Sequence, residues 1–211
     1  MKVLEKHLLT TALCDFQHVS IQELKKNLLG RMSEAERIAH RVYEYLHDTI
    51  LYEFDAWAVS ASQTLQKQAG MCFNKSNLMI ALLRASGIPC VYTLFWIGKD
   101  GFRFTSDSEM FEKIQDRTVH VYVEAYLGDK IGWRRFVDTS LDTHLRCVLQ
   151  KQGYEPFQNI LTDLPIERFA TAEEVIAWRK KYKESIGAED SITKVEMEKS
   201  NKNLRKLRDN S

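Results

Sequence analysis

"QAGMCFNKSNLMIALLRASGIP", residues 68–89, decides the fold. Leu78, Met79, Leu82, Leu83 and Ala85 predict a helix buried around most of its circumference. Gly87 supplies the left-handed position that ends a helix, and Pro89 prevents continuation. Against this background Cys72 stands out, because it directly follows Gly70-Met71 in the first helical turn. Unpaired backbone N–H groups there carry partial positive charge, which favours thiolate. The thiol has a chemical use if a base can reach it.

The chain downstream supplies candidates. "CVYTLFWIG", residues 90–98, is β-branched and aromatic and predicts a central strand, whereas residues 99–118 are polar and loop-like. "HVYVEAYL", residues 120–127, alternates: Val121, Val123, Ala125 and Leu127 share one face, and His120, Tyr122, Glu124 and Tyr126 the other. "GDKIG" reads as a turn and "WRRFVDTS" as a second strand, so residues 119–139 predict a β-hairpin. A three-residue turn, 128–130, gives an index sum of 258 and sets His120 opposite Asp138. A five-residue turn, 128–132, gives 260 and makes them diagonal neighbours within side-chain reach. Either keeps imidazole and carboxylate on one face, and an even-length loop would separate them. A carboxylate bonded to one ring nitrogen fixes the tautomer and leaves the other nitrogen as a base.

Cys72, His120 and Asp138 are therefore the candidate catalytic residues: nucleophile, base and orienting group. The Cys72 backbone N–H is the natural first oxyanion donor, with Trp57, Gln63 and Gln66 open as the second. Each residue alone has a plainer reading. A cysteine in an apolar helix is a small hydrophobe, a strand histidine is often just a satisfied core residue, and Asp138-Thr139-Ser140 could end a strand. Glu124 shares the His120 face and reads as solvent-facing. Phe73, Tyr92, Phe95, Trp96 and Tyr122 could wall a groove or fill the core.

Upstream, Ser33 with Glu36 forms a capping-box pattern opening "SEAERIAHRVYEYLHDTILYEF", with Ile38, Val42, Tyr45, Leu46 and Ile50 on one face. His40 and His47 fall on what reads as an exposed flank. Residues 3–29 carry helical spacing, and residues 55–70 a weaker helix or loop. Thr171 and Glu174 cap a helix, "AEEVIAWRKKY". From about residue 186 aliphatics are few, which predicts a mobile or solvent-exposed helical tail. Five basic residues between Lys199 and Arg208 could touch an acidic partner. The expected organisation is an N-terminal helical segment 1–32, a catalytic core 33–170, and a C-terminal helical tail 171–211.

Bulk properties narrow the classes. A chain of 211 residues with 44% hydrophobic content can bury a sizeable core. A net charge of +1 gives no global field for nucleic acid or an acidic membrane. Cys14, Cys72, Cys90 and Cys147 are scattered without C-x-x-C, the pattern of reduced intracellular thiols. The amino-terminal apolar run is broken by Glu5, Lys6 and His7 and is too short for a signal-peptide core, and no segment has the roughly 20 apolar residues of a membrane span. The expectation is a cytoplasmic protein without cofactor or metal.

The quoted motifs resemble the transglutaminase-like superfamily, over about residues 35–142. "GMCFNKSNLMIALLRASGIPC" matches the nucleophile helix, "HVYVEAY" the histidine strand and "GWRRFVDTS" the aspartate strand. "CFNKS" is similar to the small bacterial members rather than the large calcium-dependent cross-linking enzymes. Met71 stands where the family often has an acidic or polar residue, and Tyr122 where it often has tryptophan. The resemblance implies an α+β fold with a papain-like core: helices, one bearing the nucleophile, packed on a small antiparallel sheet, plus the C-terminal tail. It also implies an acyl-thioester on Cys72, formed from an amide or thioester and passed to water or an amine. The substrate would be a peptide, a protein or an acyl carrier. The alternatives are a non-catalytic peptide- or protein-binding module retaining the fold, and a metal site built from Cys72, His120 and Asp138.

Overall fold

The computed structural model describes residues 2–153, 165–188 and 192–209. Its first half is mainly helical: α1 (Lys2–Glu5), α2 (Val19–Leu29), α3 (Ala35–Thr49), β1 (Leu51–Tyr52), α4 (Ala61–Lys67), β2 (Ala69–Gly70) and α5 (Cys72–Ala85). Then follow β3 (Cys90–Gly98), α6 (Ser108–Lys113), β4 (Arg117–Tyr126) and β5 (Trp133–Phe136). The chain continues with α7 (Thr143–Lys151), β6 (Glu167–Phe169), α8 (Ala172–Ser185) and α9 (Lys194–Asp209). β1 and β2 form a parallel pair, and the main sheet runs β5-β4-β3-β6 with all neighbours antiparallel. Among the described residues no helix is long and apolar enough to cross a membrane.

α5 is the centre of the molecule. Every residue from Cys72 to Arg84 is buried, with α2, α3 and α4 packed against it on one side and β3 and β4 on the other. Its polar side chains are satisfied by tying down neighbouring segments. The Asn77 amide donates to Leu13 O (2.8 Å) and accepts from the Tyr92 hydroxyl (2.7 Å), and the Asn74 amide donates to Ala56 O (2.9 Å). Arg84 donates to Cys90 O (2.9 Å) and Ala170 O (2.5 Å). The helix ends as its sequence predicts: Gly87 takes φ 76°, Gly87 N–H bonds Arg84 O and Ile88 N–H bonds Leu83 O, both at 2.9 Å. At its start Gly70 is required, because a Cβ there would lie 2.8 Å from Asn74 Cβ.

The expected hairpin forms, but in a different register. Glu124 pairs with Arg135 and Tyr126 with Trp133, an index sum of 259. The loop therefore spans six residues, 127–132, closed by Gly132 N–H on Gly128 O (2.7 Å) and Leu127 N–H on Gly132 O (2.9 Å). Positive φ at Gly128 (93°) and Gly132 (73°) makes this longer turn accessible. β5 ends at Phe136, so Asp138 leaves the ladder and reaches the His120 region through the following turn rather than as a cross-strand partner.

Other local expectations divide by their caps. Thr171 and Glu174 form the predicted capping box on α8. Ser33 does not cap α3, which starts two residues later with Glu34 at the N-cap and no side-chain capping bond. The apolar face Ile38, Val42, Leu46 and Ile50 is buried as predicted, but His47, read as exposed, is buried too, its Nδ1–H donating to Leu141 O at 2.7 Å. The tail also differs from a solvent-exposed helix, because α9 buries Ser200, Asn201, Leu204 and Arg208. Asn201 bonds both Phe54 N (2.8 Å) and Phe54 O (3.0 Å), and Arg208 bonds Tyr52 O (2.8 Å) and Asp142 (2.6 Å). Residues 189–191, 210 and 211 of that tail lie outside the described residues.

Candidate active site

The site forms where β4 runs past the end of β5. β5 covers β4 only from Val123 to Tyr126, so on that side no strand among the described residues pairs with Val121. The first turns of α5 occupy that edge. Ser76 Oγ donates to Val121 O (3.2 Å), and the Val121 N–H, which points to the same side in an antiparallel strand, favours the thiolate of Cys72. Cys72 thus lies against the residue following His120. Asp138 is close enough for its charge to act on both Cys72 and His120.

Their protonation states depart from the sequence-based expectation. Cys72 is 8% exposed, and burial pushes its thiol up to about 11. The N–H groups of Val121 and Phe73 and the Arg179 guanidinium pull the other way without winning. His120 has its ring edge-on to Tyr122 at 4.7 Å, and burial brings it down to about 4 against the opposing charge of Asp138. At neutral pH burial favours the neutral form of both the thiol and the imidazole. The N-terminal field of one helix is outweighed by desolvation.

Asp138 is 4% exposed and densely bonded. Oδ1 accepts from Ser140 N–H (3.2 Å), Ser140 Oγ (3.0 Å) and Leu141 N–H (3.4 Å), while Oδ2 accepts from the Arg146 guanidinium of α7. Among the described residues its carboxylate bonds go to these groups and not to His120, on which it acts through its charge.

Residues that sequence reading missed surround this centre. Lys75, one turn after Cys72, is wholly buried and donates to Ile50 O at 2.6 Å. Burial brings its ammonium down to about 7 despite Asp142 and Asp138 nearby. A lysine at i+3 from the thiol on an all-buried helix was the available signal. Arg146 and Arg179 come from helices beyond the recognised motifs, and no pattern flagged them. Arg179 lies over the Trp57 ring (4.6 Å to its centroid), and Trp57 stacks on Phe73 (4.8 Å) beside the thiol. Of the three oxyanion-donor candidates, Trp57 is thus brought to the first turn of α5, whereas Gln63 is taken up in the capping box of α4 with Ser60. Phe73, Tyr92, Phe95 and Tyr122 are buried core residues, and Glu124, read as solvent-facing, is buried and paired with Arg168 (2.8 Å). Among the described residues no three His, Cys, Asp or Glu side chains are placed to hold a metal ion together.

Comparison with known proteins agrees with this architecture. The family model described as the transglutaminase-like superfamily matches residues 22–137. A solved structure of a candidate cysteine protease from Cytophaga hutchinsonii superposes with a TM-score of 0.53 at 20% identity, over 82% of this chain and 49% of that one. The chain thus spans about half the length of that protein, and the likeness is one of fold. No curated protein matches. With the family match covering more than half of its length, the chain belongs to the transglutaminase-like superfamily.

Proposed function

We propose that the protein is a cysteine-dependent acyl-transfer enzyme with Cys72 as nucleophile, His120 as general base and acid, and Asp138 as the charge that supports His120. The observation that carries this reading is the placement of the Cys72 sulfur at the uncovered edge of β4, beside the backbone of Val121. His120 takes the thiol proton as sulfur attacks the carbonyl carbon of an amide or thioester. The Cys72 backbone N–H, with the Trp57 indole as second donor, meets the developing oxyanion. Collapse breaks the bond to the leaving group, which takes the proton from His120 and departs as an amine or a thiol, and leaves a thioester on Cys72. Water or an amine then attacks that thioester, His120 accepts the attacker's proton, and the thiol is restored. A peptide, a protein or an acyl carrier supplies the acyl group.

The neutral pair sets a condition on this cycle. Proton transfer from sulfur to nitrogen becomes accessible when an entering substrate brings dipoles or water to the buried thiol. The same burial favours a second reading, a peptide-binding module that keeps the fold without turnover. Alkylation of Cys72 by a thiol reagent across pH 6–10 separates the two. A reagent carrying a peptide or acyl group that modifies Cys72 at neutral pH faster than a small reagent does, an excess lost in His120→Ala, supports catalysis, whereas equally slow reactions of both reagents, rising only toward pH 11 and indifferent to His120, support the binder.

A further inference from the structure

The geometry points to Arg146 of α7 as a positioning residue of this centre, one that competes with His120 for Oδ2 of Asp138 and so sets how strongly Asp138 supports the imidazole. The inference rests on the acyl-transfer reading for its meaning and on the arrangement around Asp138 for its content. Arg146 lies beyond residues 22–137, which the family model matches, and its guanidinium bonds Oδ2 directly.

Asp138 is crowded from every side. His120 faces it from β4, Cys72 and Lys75 from α5, Tyr43 and His47 from α3, and Arg146 from α7. Oδ1 is filled by the Ser140 N–H, the Ser140 hydroxyl and the Leu141 N–H, so Oδ2 is where a further donor can bond. Arg146 holds that oxygen with a charge-assisted bond, the strongest kind available to a carboxylate. While it does so, His120 feels Asp138 through its charge and not through a bond. Removing the guanidinium opens Oδ2 to the His120 ring N–H. The three donors on Oδ1 of Asp138 are untouched by that change. The imidazolium then replaces the guanidinium as the nearest countercharge.

The test is an NMR titration of the His120 ring, its signal assigned by loss in His120→Asn, for four forms of the Cys72→Ala protein: otherwise unchanged, R146Q, R146K and D138N/R146Q. The expected result is a His120 midpoint higher in R146Q by about 1 pH unit or more, close to the unchanged form in R146K, and back at or below the unchanged value in D138N/R146Q. Equal midpoints in R146Q and the otherwise unchanged form, or an upward shift that survives D138N, would overturn the inference, since a purely structural role for Arg146 moves the midpoint irrespective of Asp138. If R146Q does not fold, R146K and a fifth form carrying D138N alone decide it. A folded D138N with an unchanged His120 midpoint refutes the coupling, and a lowered midpoint in D138N with little change in R146K supports it. Acyl-donor labelling of unsubstituted Cys72, run in parallel, tests the acyl-transfer reading by itself. No label with a shifted His120 sinks that reading alone, and label with an unshifted His120 sinks the inference alone.

Discussion

α5 and α9 are both docked helices, and they are docked in opposite ways. α5 is buried along thirteen consecutive residues, from Cys72 to Arg84, and its polar side chains reach outward to hold loops in place. α9 buries four residues of which only Leu204 is apolar, and it is held by Asn201 and Arg208 bonding the backbone around β1. One helix is placed by hydrophobic burial, the other by hydrogen bonds made one at a time. The site-bearing half therefore stands on a large, cooperative term, while the carboxy-terminal half is a set of separable attachments.

Equivalent truncations in the two helices should expose this contrast. Leu82→Ala, at a wholly buried position of α5, should cost about 3–5 kcal/mol in urea unfolding and abolish the site along with the fold. Gly70→Ala should cost about 1–3 kcal/mol, because its Cβ would collide with Asn74 Cβ at 2.8 Å and neither backbone can yield. Asn201→Ala leaves the Phe54 N–H and C=O without their partner and should cost about 1–3 kcal/mol, released as local opening of α9 in hydrogen exchange while α5 stays protected. If Asn201→Ala unfolds both helices together, the contrast between them fails. The smallest effect belongs to the half-exposed Arg205–Glu53 pair, where a double-mutant cycle should give about 0.5 kcal/mol and fade in high salt.

The site also predicts a pH dependence of stability. His120 is held below its ordinary value, to about 4, and His47 is lowered too, so the unfolded chain binds more protons on the acid side. Stability should rise as pH increases from about 4 to 6.5 and flatten in His120→Asn. Lys75 is likewise lowered, to about 7 from 10.5, which adds a further rise above pH 7. Cys72, raised to about 11, has the opposite sign and takes stability away as pH climbs past 9, so the Lys75 contribution is best read between pH 7 and 9 and should vanish in Lys75→Met. Urea midpoints measured across these windows check each group.

What was legible in the sequence follows the same division. The burial of α5, its glycine stop and the alternation of β4 are written in side-chain type and period, which singles out Cys72 and His120 as candidates, whereas Asp138 is picked out by a hairpin register that the chain does not adopt. The hairpin register was not legible, because its parity depends on whether the turn closes at Gly128 over three, five or six residues. Ser33 and Thr171 carry the same capping pattern, and only Thr171 uses it, since Ser33 stands one residue before the N-cap. The docking of α9 and the Arg146 contact were invisible for a common reason: both are polar side chains meeting partners far along the chain, which leaves no periodic mark.

Intact-mass spectrometry with candidate acyl donors, comparing wild type with Cys72→Ala, bears most directly on whether this centre does chemistry. A thioester adduct on the unsubstituted protein, missing from the variant and cleared by hydroxylamine, is the predicted outcome. Full occupancy by a peptide or acyl carrier with no covalent mass gain at any pH from 6 to 9 would contradict it and leave a binding protein on an enzyme's fold.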